Sequence, residues 1–430
     1  MDASVSSKAN PRSTFEADVR ETVTAKYVRT AEATDAVAGA RPSLVVEPGS
    51  EQELAKVLKL ANAARMAVIP RGGGTKLEWG NRPARADLIL STARMNRVIE
   101  HAWADLTVSV EAGCTIAKLQ DTVAKHGQRL ALDALWPERA TVGGVLSTND
   151  SGALRLRFGS LRDLVIGATV ALADGTVASS GGRVVKNVAG YDLPKLVTGA
   201  FGTLGVITRA IFRLHPLPKE TRTISSVTVD AAEAQRLVLA IQNSKLAHSA
   251  LQICCGAVMQ PRVDVLLEGT EAALSAQSAQ LKLMASEAGQ GGATGEEWNS
   301  RQEIFSASES DGDDFAVGKF ATLPAEIAET VEMIGKVAAS ALRWSVVAQA
   351  TGIGWVRMDG AASEIATAMR GVRGWLEGRG GSLVIVRRPA GMADLDAWGA
   401  AGDALPLMSA VKRQFDAVGT LSPGRFMGGI

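Results

Sequence analysis

Twelve glycines fall between Gly143 and Gly205, and this run constrains the chain more than any other feature. It holds Thr141-Val142-Gly143-Gly144, Asn149-Asp150-Ser151-Gly152, Arg157-Phe158-Gly159-Ser160 and Gly202-Thr203-Leu204-Gly205-Val206-Ile207. Inside a helix or strand each glycine costs roughly 0.5–1 kcal/mol against alanine. A run this dense marks backbone that turns sharply or lies close against something. The flanks do not read as linker: residues 164–173 form an apolar strand pattern, and Asp174-Gly175 is a hairpin turn into a strand at 176–179. Two readings stand side by side. One is a loop-rich β core with tight turns. The other is a large phosphate-bearing ligand cradled by backbone N–H groups.

A second glycine cluster lies upstream. A short strand pattern at 67–69 runs through Pro70 into Arg71-Gly72-Gly73-Gly74-Thr75-Lys76. Successive glycines let amides converge on an anion, and Arg71 or Lys76 adds charge; a plain surface turn is the alternative. The chain contains neither the P-loop pattern nor the G-x-G-x-x-G dinucleotide fingerprint.

At 430 residues the chain is long for one domain. Residues 1–36 read as a polar start and a helix over 15–30. Ser50 caps a helix over 51–65, with Glu53 completing the capping pattern. Strands follow at 88–90, 98–100 and 106–110, then a helix over 115–126, a short helix over 192–197 and a strand over 205–214. His215-Pro216-Leu217-Pro218 breaks the pattern and sets a boundary, giving a first domain over 37–218. Beyond it, glycine thins and helices alternate with strand pairs. Residues 289–295 and 306–314 read as loops. This spacing predicts an α+β domain over 219–400, an antiparallel sheet covered by helices in a ferredoxin-like arrangement. Residues 401–430 hold a last helix over 405–418 and then Leu421-Ser422-Pro423-Gly424-Arg425, expected to return to the first domain.

Charge and cysteine narrow the function. A net charge of +1 gives no electrostatic reason for nucleic acid or anionic membrane. No apolar run approaches the roughly 18 residues that span a bilayer, and the start lacks the pattern of a secretory signal. Any membrane association is expected to be peripheral. Cys114, Cys254 and Cys255 are too few for the four thiolates of an iron–sulfur cluster, and a reducing compartment suits them.

Taken in order, Ile69 to Lys76, Trp136-Pro137, the run from Thr141 to Ile207 and Lys186-Asn187-Val188-Ala189-Gly190-Tyr191-Asp192 carry a resemblance. They resemble the PCMH-type FAD-binding domain of the vanillyl-alcohol oxidase and p-cresol methylhydroxylase superfamily. Within it they are similar to the D-2-hydroxyacid dehydrogenase branch and the E-type FAD-binding subunits of bacterial glycolate oxidases. The match is strong over 37–218, weak over the cap and moderate at Ser422-Pro423-Gly424-Arg425. The resemblance implies a two-lobed FAD-binding domain followed by a ferredoxin-like antiparallel-sheet cap. It implies that Arg71, Gly72, Gly73, Gly74, Thr75 and Lys76 lie along the pyrophosphate. Thr141, Gly143, Gly144, Asn149 and Gly152 would surround the ring system and ribityl chain, and Pro137 would also contact the cofactor. Arg157, Gly159, Ser160, Gly205, Val206 and Ile207 would complete the site. A pyrophosphate buried in protein needs hydrogen bonds or countercharge, which fits this composition.

Departures from the family pattern shape the rest. Thr75 stands where relatives with covalent flavin carry histidine, so the FAD is expected to be non-covalent. The branch's C-terminal histidine-rich metal motif is missing: the four histidines are His101, His126, His215 and His248, and no metal is expected. Phe201 replaces a glutamate before Gly202. The resemblance then implies one FAD-binding subunit of a complex that oxidises glycolate or another small 2-hydroxy acid. A second FAD-containing subunit and an iron–sulfur subunit would supply proton abstraction and electron exit. The expected place is cytoplasmic, held at the inner face of the plasma membrane, if at all, through those partners. A self-sufficient FAD-dependent dehydrogenase and a non-redox nucleotide-binding scaffold are the alternatives. On the cap, Arg343, Trp344, Trp355, Arg357, Arg387 and Arg388 fall on strand patterns; buried tryptophan and solvated arginine is the favoured reading over a carboxylate site. Cys254-Cys255 reads as packing, and Asp311 to Asp314 as an acidic loop lacking the glutamate of a calcium loop.

Overall fold

The computed structural model describes residues 11–182, 192–287, 292–294, 298–306, 314–392 and 394–430. The Lys186 to Tyr191 part of the family motif and residues 311–313 of the acidic loop lie outside them.

The first lobe is a four-stranded sheet in the order Val28–Thr30, Leu44–Val46, Leu88–Ser91, Val68–Arg71. The last three strands are parallel. Parallel strands are covered on both faces, and these are: Val45, Ile69 and Ile89 pack with Val37 on one side, while Leu44, Val68 and Leu90 meet the helices Pro11–Val23 and Glu51–Ala63 on the other. The first helix stops at Val23, short of the predicted Thr30, because Val28–Thr30 pairs with Leu44–Val46. Strand pairing there outweighs local helix propensity. The second helix starts at Ser50, whose side chain accepts from the Glu53 amide.

The second lobe is a five-stranded antiparallel sheet in the order Val98–Ala102, Thr107–Glu111, Val206–Arg213, Val165–Ala171, Val177–Gly181. The central Val206–Arg213 alternates buried and half-buried positions over its second half. Helix Val142–Thr148 packs against this sheet. The lobes are joined in part by Thr208, whose hydroxyl donates to Glu51 Oε2 at 2.6 Å.

The cap is an eight-stranded antiparallel sheet built from two βαββαβ units. The first is Glu220–Val227, Ala231–Gln242, His248–Gly256, Arg262–Gly269, Glu271–Glu287 and Gly292–Thr294. The second is Asp314–Ala321, Ile327–Ala338, Arg343–Gln349, Ile353–Gly360, Ala362–Glu377 and Ser382–Arg387. Each unit has the ferredoxin strand order, and antiparallel pairing of His248–Gly256 with Arg343–Gln349 joins them. The predicted ferredoxin-like arrangement is therefore present twice. Gly292–Thr294, read from sequence as loop, is the edge strand of the first unit. Its glycines hid the strand pattern.

The four long cap helices cover one sheet face with an apolar core. The opposite face, carrying Cys254, Val317, Val347, Trp355 and Val386, packs against Trp79 and Leu135 of the first domain. Fully burying a side chain of this kind stabilises by roughly 1.5–3 kcal/mol, so this face docks the cap. The C-terminal tail returns to the first sheet: the Val68 amide donates to the Thr420 carbonyl at 2.7 Å, and the Ser422 amide to the Val68 carbonyl at 2.9 Å.

Candidate cofactor channel and adjoining chamber

The glycine loop after Val68–Arg71, the helix Val142–Thr148 and the start of Val206–Arg213 enclose a channel. Its walls include Gly73, Gly74, Thr75 and Lys76, then Thr141, Gly143, Gly144, Ser147 and Thr148. Phe201, Gly202, Gly205, Val206, Ile207 and Arg425 complete them. The amides of Gly73, Gly74 and Thr75 take no acceptor from the described residues, so they are left to donate to whatever fills the channel. Gly74 has a φ of +74°, in the left-handed region that glycine enters without a Cβ penalty.

The other two loop glycines answer to the protein itself. A Cβ on Gly73 would lie 1.7 Å from the Arg139 carbonyl oxygen, and one on Gly72 1.9 Å from Thr141 Oγ1. Both are bare so that the loop can close on residues 139–141. Thr141 in turn caps its helix, accepting from the Gly144 amide at 3.4 Å. A Cβ on Gly143 would meet Ala112 at 2.9 Å, and one on Gly205 would meet Val170 at 2.3 Å. Part of the glycine density is thus a packing requirement, as the loop-rich reading had it, and part shapes the channel.

The remaining expected residues lie around the channel. The Arg71 guanidinium turns to Asp35, 2.6 Å away. Pro137 lines a separate pocket with Asp133 and Arg301. Gly152 sits against the Asp133 carboxylate, which its amide contacts at 2.9 Å. Arg157 reaches the cap, donating to Ser249 Oγ at 3.2 Å. Gly159 ends one short helix, and Ser160 begins the next with its amide on Asp163. Asn149, with a φ of +47° and a buried, unpartnered Oδ1, faces a second cavity.

Where the domains meet, charge is buried in quantity. Lys76 Nζ is 3.1 Å from Asp150 Oδ2. Arg301, from the cap, reaches Asp150 Oδ1 at 2.9 Å and also donates to the Asp133 carbonyl. Burial alone would raise the Asp150 carboxyl, but Lys76 and Arg301 outweigh it and hold its pKa below the usual value. Burial pushes the Asp133 carboxyl up. Arg425 is buried beneath the channel, donating to the carbonyls of Leu77 and Trp79, with its Nε unpartnered. Burial brings its pKa down to about 10.

Beside the channel lies a chamber of about 230 Å³ between the first domain and the cap sheet; Thr148 and Phe201 line both. The chamber is walled by rings, including Trp79, Trp398 and Phe426, and by two cations, Arg162 and Lys319. Burial lowers Lys319 to about 8, with Asp150 opposing and Arg155 and Arg301 adding.

Asp150, Arg425 and Lys319 were not singled out from sequence. The Ser-Pro-Gly-Arg ending contained a signal for Arg425. Lys319 carried none beyond its place inside an apolar strand. Of the cap candidates, Trp355 is fully buried, Arg357 pairs with Asp359 at 2.6 Å, and Arg387 lies over Phe315. Arg388 donates to the Leu395 and Gly80 carbonyls. Cys255 packs in the cap core and Cys254 lies 3.3 Å from Asp264 Oδ2. Among the described residues no group of three or more His, Cys, Asp or Glu side chains could hold a metal. No helix among them is long and apolar enough to cross a membrane.

Comparison with known proteins agrees with this geometry. The family model described as FAD binding domain matches residues 42–181. The Bacillus subtilis glycolate oxidase subunit GlcD is 33% identical over 211 residues, covering 49% of this chain and 45% of that protein. The D-lactate dehydrogenase of Archaeoglobus fulgidus is 34% identical over 204 residues, covering 47% and 45%. The chain thus spans less than half the length of these curated relatives. Among solved structures, p-cresol methylhydroxylase with substrate bound superimposes with a TM-score of 0.74 at 16% identity, covering 96% of each chain. An alkyldihydroxyacetonephosphate synthase superimposes with a TM-score of 0.71 at 16% identity, over 96% of this chain and 84% of that one.

Proposed function

We propose that this chain, an FAD-binding domain over residues 42–181 on the fold of p-cresol methylhydroxylase, is the flavin-bearing subunit of a 2-hydroxyacid oxidoreductase. Its substrate is a small 2-hydroxy acid such as glycolate, and its product the 2-oxo acid. One observation carries the reading: a glycine-walled channel with unpartnered loop amides adjoins a chamber lined by two basic side chains.

The residues fit FAD. The amides of Gly73, Gly74 and Thr75 would meet the pyrophosphate, where anion and N–H donors satisfy each other. Arg425, with one buried nitrogen still to be paired, would add positive charge along the channel. Bound there, FAD supplies the two-electron acceptor for hydride. The chain's own part is to hold the ring system against the chamber, to line it with Trp79, Trp398 and Phe426, and to draw in a carboxylate with Arg162. The curated relatives named for glycolate and D-lactate match 49% and 47% of the chain.

Electron exit belongs to a partner in this proposal. The three cysteines are buried and free, and a cluster needs about four thiolates. An iron–sulfur subunit, with a second flavin subunit, would complete the complex, and any peripheral membrane contact would come through them.

The test is anaerobic. Glycolate or D-lactate added to the FAD-loaded chain should bleach the visible flavin band. Deleting the chain from its co-purifying complex should abolish dye reduction by the same acids. A flavin that no 2-hydroxy acid reduces, in the chain or the complex, removes the reading and leaves the nucleotide-binding scaffold.

A further inference from the structure

We propose that Lys319 is the proton acceptor of this site, its amine taking the hydroxyl proton of the bound 2-hydroxy acid. This role rests on the oxidation reading above. The oxidation breaks two bonds: the O–H proton goes to the lysine nitrogen, and the C–H pair leaves as hydride to oxidised flavin. The carbinol carbon becomes a carbonyl, and the ammonium later returns its proton to water. The histidine count left the chain without an evident base, and the structure supplies one of a different kind.

The geometry separates the half-buried Lys319 from the buried lysines Lys76 and Lys412. Lys76 is tied to Asp150 at 3.1 Å and Lys412 to Asp416 at 2.6 Å. Lys319 takes no hydrogen-bond partner from the described residues; its nitrogen lies 5.7 Å from the ring of Trp355, its partner across the strands. It lies on Asp314–Ala321, two residues from Val317 and on the same docked face. It lines the chamber, which shares Thr148 and Phe201 with the channel. A free nitrogen at the wall of a chamber beside the proposed flavin channel is placed for proton transfer.

The surroundings also set its basicity. Burial acts first, Asp150 opposes it, Arg155 and Arg301 reinforce it, and Arg162 stands across the chamber. With the ammonium brought down to about 8, about a tenth of the amine is neutral at pH 7 and about half at pH 8. The histidines do not line either space. His101 meets Gln128 and His126, His215 meets Phe158, and His248 meets the Leu246 carbonyl.

The test compares the parent with Lys319→Met and Lys319→Arg, all FAD-loaded, with flavin content as the check on folding. Anaerobic flavin reduction by glycolate and by D-lactate is followed against pH. The parent rate should rise with pH and level off above about pH 8. Both variants should lose ~10²–10⁴-fold and the pH limb, while oxalate, a non-reacting carboxylate, still perturbs the flavin spectrum with a Kd within about threefold of the parent. Independently of turnover, carbon-13 methylation of the lysines should give one NMR signal, missing from Lys319→Met, that titrates near pH 8 and shifts with oxalate. Reduction that persists in Lys319→Met overturns the lysine's role alone. A rate that falls through pH 8, with the loss confined to Kd, makes Lys319 a carboxylate anchor and overturns the proton role. A parent flavin that no 2-hydroxy acid reduces overturns the substrate class, and the lysine's role with it.

Discussion

Lys76 and Asp150 form an ion pair, Nζ to Oδ2 3.1 Å, with both side chains almost wholly out of solvent. Lys76 belongs to the first glycine loop and Asp150 to the second, so the pair ties together two walls of the site. Arg301 brings the cap to the same carboxylate. Removing Asp150 strands two cations in a medium that solvates them poorly. Breaking a buried pair in this way costs ~3–5 kcal/mol. Asp150→Ala should therefore lower the urea midpoint sharply and reduce flavin content. Lys76→Met should cost less, since Arg301 still answers the carboxylate. Equal stability in Asp150→Ala and the parent would refute this account.

Gly73→Ala tests which wall the glycine serves. The added methyl meets the Arg139 carbonyl at 1.7 Å, so the loop must move even with no ligand present. Overpacking of this kind costs ~1–3 kcal/mol. The apo protein itself should melt lower, and the displaced amides should hold FAD more weakly by about two orders of magnitude or more. A variant with unchanged apo melting but weakened FAD would place the steric conflict with the ligand instead.

These glycines also show what was legible in the sequence. Their density located the channel, because backbone that packs this closely excludes a Cβ wherever the neighbour stands. It could not say which neighbour, since Arg139 and a pyrophosphate impose the same requirement. The duplicated cap could be read as alternating helices and strand pairs. Its partnering through His248–Gly256 and Arg343–Gln349 is a long-range register that no local pattern encodes. Thr141, Gly144 and Val206, singled out within a dense motif, line the channel. Asp150 sat in that motif too, yet its role depends on Arg301, which lies 151 positions away in sequence. Lys319 was missed because a single lysine in an apolar strand reads as a solvent-facing residue. Only the docked cap turns that face inward.

The acid limb of stability should be carried in part by Asp35. Its carboxylate meets Arg29 at 2.6 Å and Arg71 at 2.6 Å. The Arg29 hydrogen bond holds the carboxyl well below its ordinary value; burial opposes, and the Glu32 amide and Arg71 assist. A depressed folded pKa contributes stability above the unfolded value, about 3.9 for aspartate, and that contribution is lost as pH falls. Asp35→Asn should be less stable than the parent at pH 7, and the gap should narrow as pH drops below about 4. Urea midpoints at four or five pH values would show a constant gap if the ion pairs contribute nothing.

The flavin should be released by acid. Among the described residues neither histidine, cysteine nor tyrosine lines the channel, and Thr75 and Lys76 offer no side chain that forms the usual flavin linkage. Precipitation with acid should leave the yellow colour in the supernatant, and colour retained on the washed pellet would show a covalent bond.

The cap should be locked to the first domain partly by Arg129 and Glu268. Two parallel contacts join them, Nη1 to Oε1 at 2.7 Å and Nη2 to Oε2 at 2.6 Å. The pair is largely withdrawn from water, at 14% and 7% side-chain exposure, and the Phe158 ring lies 4.9 Å from the guanidinium. Two-point geometry and burial distinguish it from surface pairs, which contribute little. Burial would raise the Glu268 carboxyl, but Arg129 outweighs it and holds it below its usual value. A double-mutant cycle of Arg129→Met and Glu268→Gln should return a coupling of ~0.5–3 kcal/mol. Because the pair is screened poorly by salt when buried, the coupling should persist at high ionic strength. Both single variants should also raise proteolytic nicking near residues 215–218, where the chain passes from the first domain to the cap. A coupling that vanishes in salt would mean the pair opens to solvent and that the cap is held by its apolar face alone.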